Sequence, residues 1–224
     1  MGLPRFLAMD TATEACSVAV STPAGVVEEF VVAANAHSQL LLPMIQRVLD
    51  RAGMTLADIG AIACGVGPGG FTGVRIGVST AQALAMACGL PVYPVSSLQA
   101  LAATVSQPQV LAALDARKGE VYAGVFCQNA RGIPQLQGAE KVCAPDAVGW
   151  PAEGQWWGLG TGWQVYHAHW QGPSILGWSG DTFPRAEAVL RLAQARYQAG
   201  DRGIIPALLE PHYIRPSLPE EKQK

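Results

Sequence analysis

This chain predicts an α/β fold built on sheets of mixed strand direction, and three observations carry that expectation. Apolar β-type segments open the sequence. Helix-period segments then alternate with strands up to about residue 105, and a glycine-rich turn joins one strand directly to one helix. Half of the 224 residues are hydrophobic and 14% are charged, which supplies enough apolar surface for the core of one domain or two small ones.

Residues 6–9, 17–21 and 26–33 read as three strands, the last two separated by Thr22-Pro-Ala-Gly25. A helix is expected over 38–52, capped by Asn35 or Ser38 and stopped by Gly53. A strand at 59–65, a glycine loop, a helix over 73–88, a strand at 91–95 and a helix at 97–105 complete a first half, residues 1–105. The polar run Ser106-Gln-Pro-Gln109 marks the boundary to a smaller second half, 106–224, whose last segment is expected to pack back on the first. Within it, 110–115 and 121–127 form a hairpin around Ala116-Arg-Lys-Gly119. Phe6-Leu-Ala-Met-Asp10 and Leu111-Ala-Ala-Leu-Asp115 are both apolar strands ending in Asp before a turn and a second strand, a short internal repeat that implies related halves. Residues 128–182 read as irregular, followed by a helix capped by Thr182, with Pro184 in its first turn, that ends at Gly200. The charged tail 216–224 is expected to fray.

Composition narrows the function. A net charge of −2 argues against a broad nucleic-acid footprint, so RNA is expected to meet this chain only through another protein. The five cysteines form no CxxC or zinc-ligand spacing and read as buried thiols of a reducing compartment. The start, Met1-Gly-Leu-Pro-Arg-Phe6, holds no leader-like apolar core, and no uncharged apolar run reaches membrane-spanning length. The expected location is the cytoplasm.

The loop Gly65-Val-Gly-Pro-Gly-Gly70 matches the dinucleotide pattern in form, between a strand and a helix. That pattern also needs an acid at the end of the next strand, and Pro91-Val-Tyr-Pro-Val95 has none. The alternative is a tight turn that lets a helix pack close to its sheet. Gly73, Gly77, Ala81 and Ala85 favour it, since they recur every fourth residue as a ridge of small side chains. Asp10-Thr-Ala-Thr-Glu14 is similar to the turn with which sugar kinases and actin-like ATPases hold phosphate, although it lacks their usual glycine and Glu14 would repel an anion. Asp10, Thr11, Thr13, Gly67 and Gly69 are therefore the candidates for nucleotide contact. His167-x-His169 could aim two imidazoles one way from a strand, but no neighbouring Asp, Glu or Cys completes a ligand set, so no metal is expected. No Ser/His/Asp or Cys/His constellation assembles from the sequence, so no catalytic residue is assigned. All six tryptophans lie between Trp150 and Trp178 and are expected to fill the core of the second half.

The helix over 38–52 carries the strongest functional signal. At about 100° per residue its apolar side chains, from Leu40 to Leu42, cover an arc of about 200°, whereas one sheet needs a stripe somewhat over about 100°. The excess is covered either by the chain's own second half or by another molecule. A helix-on-helix protein interface, built with the helix over 73–88, is the expectation.

Six segments, in order along the chain, together resemble the TsaB (YeaZ) family. They are Asp10-Thr-Ala-Thr-Glu-Ala-Cys-Ser-Val-Ala19, His37-Ser-Gln-Leu-Leu-Leu-Pro-Met44, Gly67-Pro-Gly-Gly-Phe-Thr-Gly-Val-Arg-Ile-Gly77, Pro94-Val-Ser-Ser-Leu98, Leu114-Asp-Ala-Arg-Lys-Gly-Glu-Val-Tyr122 and Pro211-His-Tyr-Ile-Arg215. The resemblance implies an actin-like, two-domain fold of the ASKHA superfamily and a role in forming threonylcarbamoyladenosine in tRNA. It implies a non-catalytic subunit that pairs with the related catalytic subunit TsaD, joins the ATPase TsaE through that pair, and forms a homodimer when alone. Ser97 and Leu101 stand where the metal-binding histidines of TsaD would fall. The resemblance places the partner and dimer contact on His37, Ser38, Leu41, Met44, Ile45 and Val48, with Arg75, Ile76 and Ser79 from the second helix. ATP or ADP would sit at the junction of the complex rather than on this chain alone. The alternative is an autonomous enzyme of the sugar-kinase or glycoprotease-like peptidase type.

Overall fold

The computed structural model describes residues 2–172 and 174–215; the tail expected to fray lies outside them. β1 (Phe6–Asp10), β2 (Ala15–Thr22), β3 (Gly25–Val32), β4 (Ala61–Gly65) and β5 (Val92–Val95) form one sheet in the order β3-β2-β1-β4-β5. β1 runs antiparallel to β2 and parallel to β4, which in turn runs parallel to β5. All five residues of β1 are buried, as a central strand covered on both faces requires. Its alternation divides them: Leu7 and Met9 enter the core beneath α1 (His37–Ala52) and α2 (Phe71–Cys88), while Phe6 and Ala8 face α5 (Ala186–Gln198).

The second sheet repeats that plan. β6 (Gln109–Arg117) pairs antiparallel with β7 (Glu120–Gln128) and parallel with β10 (Trp156–Leu159), and β10 pairs parallel with β11 (Ile175–Ser179). β8 (Pro134–Leu136) and β9 (Lys141–Cys143) complete it on the far side of β7. The repeat read from Asp10 and Asp115 therefore extends to the order and direction of four strands in each half. Each sheet, with the helices laid on it, forms a lobe.

Two helices tie the lobes together. α3 (Ser97–Ala102) follows the first sheet yet puts Leu98 and Leu101 into the core of the second, and α5 follows the second sheet yet packs on the first. α5 therefore crosses back from the second sheet to the first.

Several local expectations are corrected. α1 starts at His37 after Ala36, with no side-chain cap, because Asn35 is spent on a left-handed turn at φ 65°. α5 starts at Ala186, after Pro184 and without a cap from Thr182. The segment 128–182 is not irregular: it holds β8 to β11 and α4 (Thr161–Tyr166). These strands have three to five residues each, too few to show a period against their glycines and prolines. Within this segment Trp150, Trp163 and Trp170 pack ring on ring at 4.8–6.0 Å, and Trp163 Nε1 donates to the Leu111 carbonyl at 2.8 Å. Trp178 is the exception to the expected core, half-exposed and stacked on His167. Of the thiols expected to be buried, Cys16 and Cys64 are, Cys127 and Cys143 are half-buried, and Cys88 is exposed.

Candidate docking face and interlobe cleft

The glycine loop is a packing device. A Cβ on Gly69 would stand 2.1 Å from the Ala12 carbonyl oxygen, and one on Gly73 would stand 2.1 Å from that of Thr11. Both obstacles are backbone, which cannot step aside, so only glycine allows α2 to lie against the β1–β2 turn. Hydrogen bonds then close the joint. Gly70 N–H donates to Ala12 O at 2.7 Å, and Thr11 Oγ1 donates to Gly73 O at 2.7 Å.

Asp10 is the other half of this clamp. It is fully buried, with Oδ1 accepting from Ala12 N–H at 2.9 Å and Oδ2 accepting from Ser97 Oγ at 2.7 Å. Ser97 Oγ accepts in turn from Gly67 N–H at 3.2 Å. Burial pushes the Asp10 carboxyl above the ordinary aspartate range, opposed by its hydrogen bonds to Ala12 and Ser97 and by His37. Of the nucleotide candidates, Asp10 and Thr11 are thus buried with their side chains engaged, and Gly67 is buried beside them. Thr13 and Gly69 line a cleft of about 530 Å³ between the lobes. Glu14, Asp115, Arg117 and Arg215 line the same cleft, and Glu14 pairs with Arg117 across it.

α1 settles where its wide apolar arc goes. Leu41, Met44, Ile45, Val48 and Leu49 are buried in the chain's own core, packed with β1, β2, β4 and α2. They recur at the spacing of one helix face, a stripe of about 140° at 100° per residue. Most of the arc is therefore covered by the chain's own first lobe; at its edges, half-buried Leu40 packs against the same core and Leu42 is exposed. Of the interface candidates, Leu41, Met44, Ile45 and Val48 are interior. His37 is interior too, its Nε2 donating to the Ala15 carbonyl at 3.2 Å. Ser38, Arg75 and Ser79 are exposed and Ile76 is half-buried.

Those four border a groove of about 460 Å³ between α1 and α2, walled also by Leu42, Phe71 and Thr72. Leu42 and Phe71 are 56% and 58% exposed, high for large apolar side chains that line one groove. The Arg75 guanidinium lies 3.6 Å from the centre of the Phe71 ring, and its Nε donates to the Tyr213 hydroxyl at 2.7 Å. Tyr213 stacks on Phe71 with ring centres 5.8 Å apart. Leu42, Phe71 and Tyr213 escape sequence reading because orientation, not residue type, puts them at one rim. The PHYIR segment carries the single local hint.

One cluster superficially resembles a hydrolase triad. Ser96 Oγ bonds Glu140 Oε1, and Glu140 Oε2 lies 3.3 Å from His212 Nε2. Here the carboxylate stands between hydroxyl and imidazole, so no imidazole is placed to take the serine proton, which is what triad chemistry needs. The histidines 167 and 169 lie on a 3-10 turn rather than a strand. Nδ1 of His169 meets Asp146 at 2.7 Å, a partner the sequence reading did not find. Among the described residues no group of three or more His, Cys, Asp or Glu could hold a metal, and no helix is long and apolar enough to cross a membrane.

Two repeated mixed sheets, helices exchanged between them and a cleft at the joint define an actin-like, two-lobed α/β protein. The family model described as "TsaD: tRNA N6-adenosine threonylcarbamoyltransferase" matches residues 14–148. The tRNA threonylcarbamoyladenosine biosynthesis protein TsaB of Escherichia coli is 38% identical over 97% of this chain and 97% of its own length. YeaZ from Pseudomonas aeruginosa superimposes with a TM-score of 0.86 at 39% identity, covering 94% of this chain and 99% of that one. A second solved structure, an uncharacterized protein with similarity to the peptidase YEAZ from Pseudomonas aeruginosa, gives a TM-score of 0.87 at 39% identity over 95% and 100% of the two chains. The chain belongs to the TsaB (YeaZ) family.

Proposed function

We propose that this protein is an accessory subunit in threonylcarbamoyladenosine formation, supporting transfer of the threonylcarbamoyl group to the adenosine beside the tRNA anticodon. It pairs through the α1/α2 groove with a TsaD-like catalytic subunit and stabilises that subunit's competent state by binding it better than the others. A TsaE-like ATPase joins the assembled pair, with ATP or ADP at the junction, and tRNA reaches this chain only through its partners. Alone, the chain forms a homodimer on the same face, so the two assemblies compete. The observation that carries the reading is the rim of Leu42, Phe71 and Arg75, an apolar and cation–π surface beside a groove on the outer side of two helices. The Ser96–Glu140–His212 order lends no support to a peptidase.

A transfer assay with each subunit omitted, paired with co-purification of wild type and Leu42→Glu, tests it. Transfer is expected only when all components are present, with loss of co-purification in the variant. Full transfer without this chain, or transfer by this chain alone, would discard the reading.

A further inference from the structure

We infer that the docking face includes the C-terminal strap, residues 209–215, and that the strap couples what sits on that face to the orientation of the lobes. This deepens the reading above and rests on it for the identity of the occupant. The strap has no helix or strand of its own. It is held by side-chain and backbone contacts that reach both lobes. Leu209 is anchored in the core of the first lobe, and His212 N–H donates to the Val66 carbonyl at 2.7 Å. The His212 ring then reaches Glu140, in the loop before β9, while Arg215 Nη2 donates to Glu120 at 2.6 Å and to the Ala116 carbonyl at 3.0 Å. Between these two grips on the second lobe stands Tyr213, half-exposed on the docking face against Phe71 and Arg75.

The spacing makes the coupling unavoidable. His212, which reaches Glu140 just before β9, is one position from Tyr213, and Arg215, which holds Glu120 of β7, is two positions from it, so a displacement of the strap at Tyr213 moves both grips. An occupant that packs on Phe71 and Arg75 also packs on Tyr213, pins the strap, and through it pins the second lobe. Coupling of this kind is reciprocal: a lobe arrangement that frees the strap weakens docking. Arg215 is on this account a positioning residue, acting on the face without touching the occupant.

Hydrogen exchange of the whole protein tests this, followed at β7 and β9 with and without the TsaD-like subunit, at a dilution where the partner-free chain is monomeric so that no second copy occupies the face. In the wild type, docking is expected to slow exchange there by about threefold or more, because pinned segments open less often. In His212→Asn/Arg215→Gln, whose Phe71, Arg75 and Tyr213 are intact, docking is expected to persist, weakened, while that protection disappears. In the free protein, Tyr213→Ala should speed exchange at β7 and β9 and leave the centre of β1 unchanged. Equal protection in wild type and the double variant, or no change at β7 and β9 in Tyr213→Ala, overturns the inference. Failure of the wild type to dock overturns the functional reading instead, and the Tyr213→Ala measurement, which needs no partner, then decides the strap alone.

Discussion

Glu14 and Arg117 occupy corresponding turns of the two halves and meet across the cleft. Glu14 lies four residues after Asp10, Arg117 lies two after Asp115 at the end of β6, and the guanidinium also lies 3.3 Å from Asp115. The acid that makes the first turn unlike a phosphate-binding turn is thus satisfied by the repeat partner of its own turn. Both side chains reach solvent, so the pair is screened and exchanges one set of water contacts for another.

Replacing either partner by Gln should therefore change unfolding free energy by less than about 1 kcal/mol. A double-mutant cycle by urea denaturation checks this. A coupling well above that value would show that the cleft is closed around the pair rather than open.

Val48 and Leu42 should separate core from surface. Val48 is fully buried, so Val48→Glu places an unpaired carboxylate in the interior and is expected to cost a large part of the roughly 5–15 kcal/mol typical of a domain. Leu42→Glu should leave the thermal midpoint nearly unchanged. Thermal scans of both, run before any binding assay, show which variant can report on docking.

Gly69→Ala and Gly73→Ala are expected to destabilise by about 1–3 kcal/mol or more, since the new methyl meets backbone. Gly70→Ala is the matched control, with its nearest obstacle at 3.7 Å and a φ of −62°. Chemical denaturation of the three should rank Gly70→Ala well apart from the others.

Asp10 gives a pH signature. Its carboxyl is raised above the ordinary value of 3.8 by burial, so its contribution to stability is complete below that pH and declines as pH rises through the elevated folded value. Asp10→Asn, which cannot ionise, should flatten the part of the stability–pH curve just above 3.8. Denaturation midpoints taken across the acid range provide the check, and an unchanged curve would place the effect on another group.

The first lobe was readable in the residues because its signals are local. β2, β3, α1 and α2 are long enough to show a period, β1 is an apolar run ending in Asp10, and Gly53 and Gly89 stop their helices in the left-handed conformation that glycine favours. The Asp10 and Asp115 strands likewise announced a repeat that the sheets carry through. The short strands between Pro134 and Ser179 hold too few residues for any period to emerge, and they form because β6 and β7 offer edges to pair with.

The docking face divides the same way. Composition established that α1 is broadly apolar and that α2 carries a ridge of small residues. It could not say that Val48 points inward while Leu42 points out, because that depends on how the helix is rolled against its sheet. Nor could it bring Tyr213 to Phe71 or His212 to Glu140, contacts between residues 142 and 72 positions apart. Periodicity reports on neighbours within a turn or two of chain; contacts across such separations exist only once the lobes have closed and the strap lies across them.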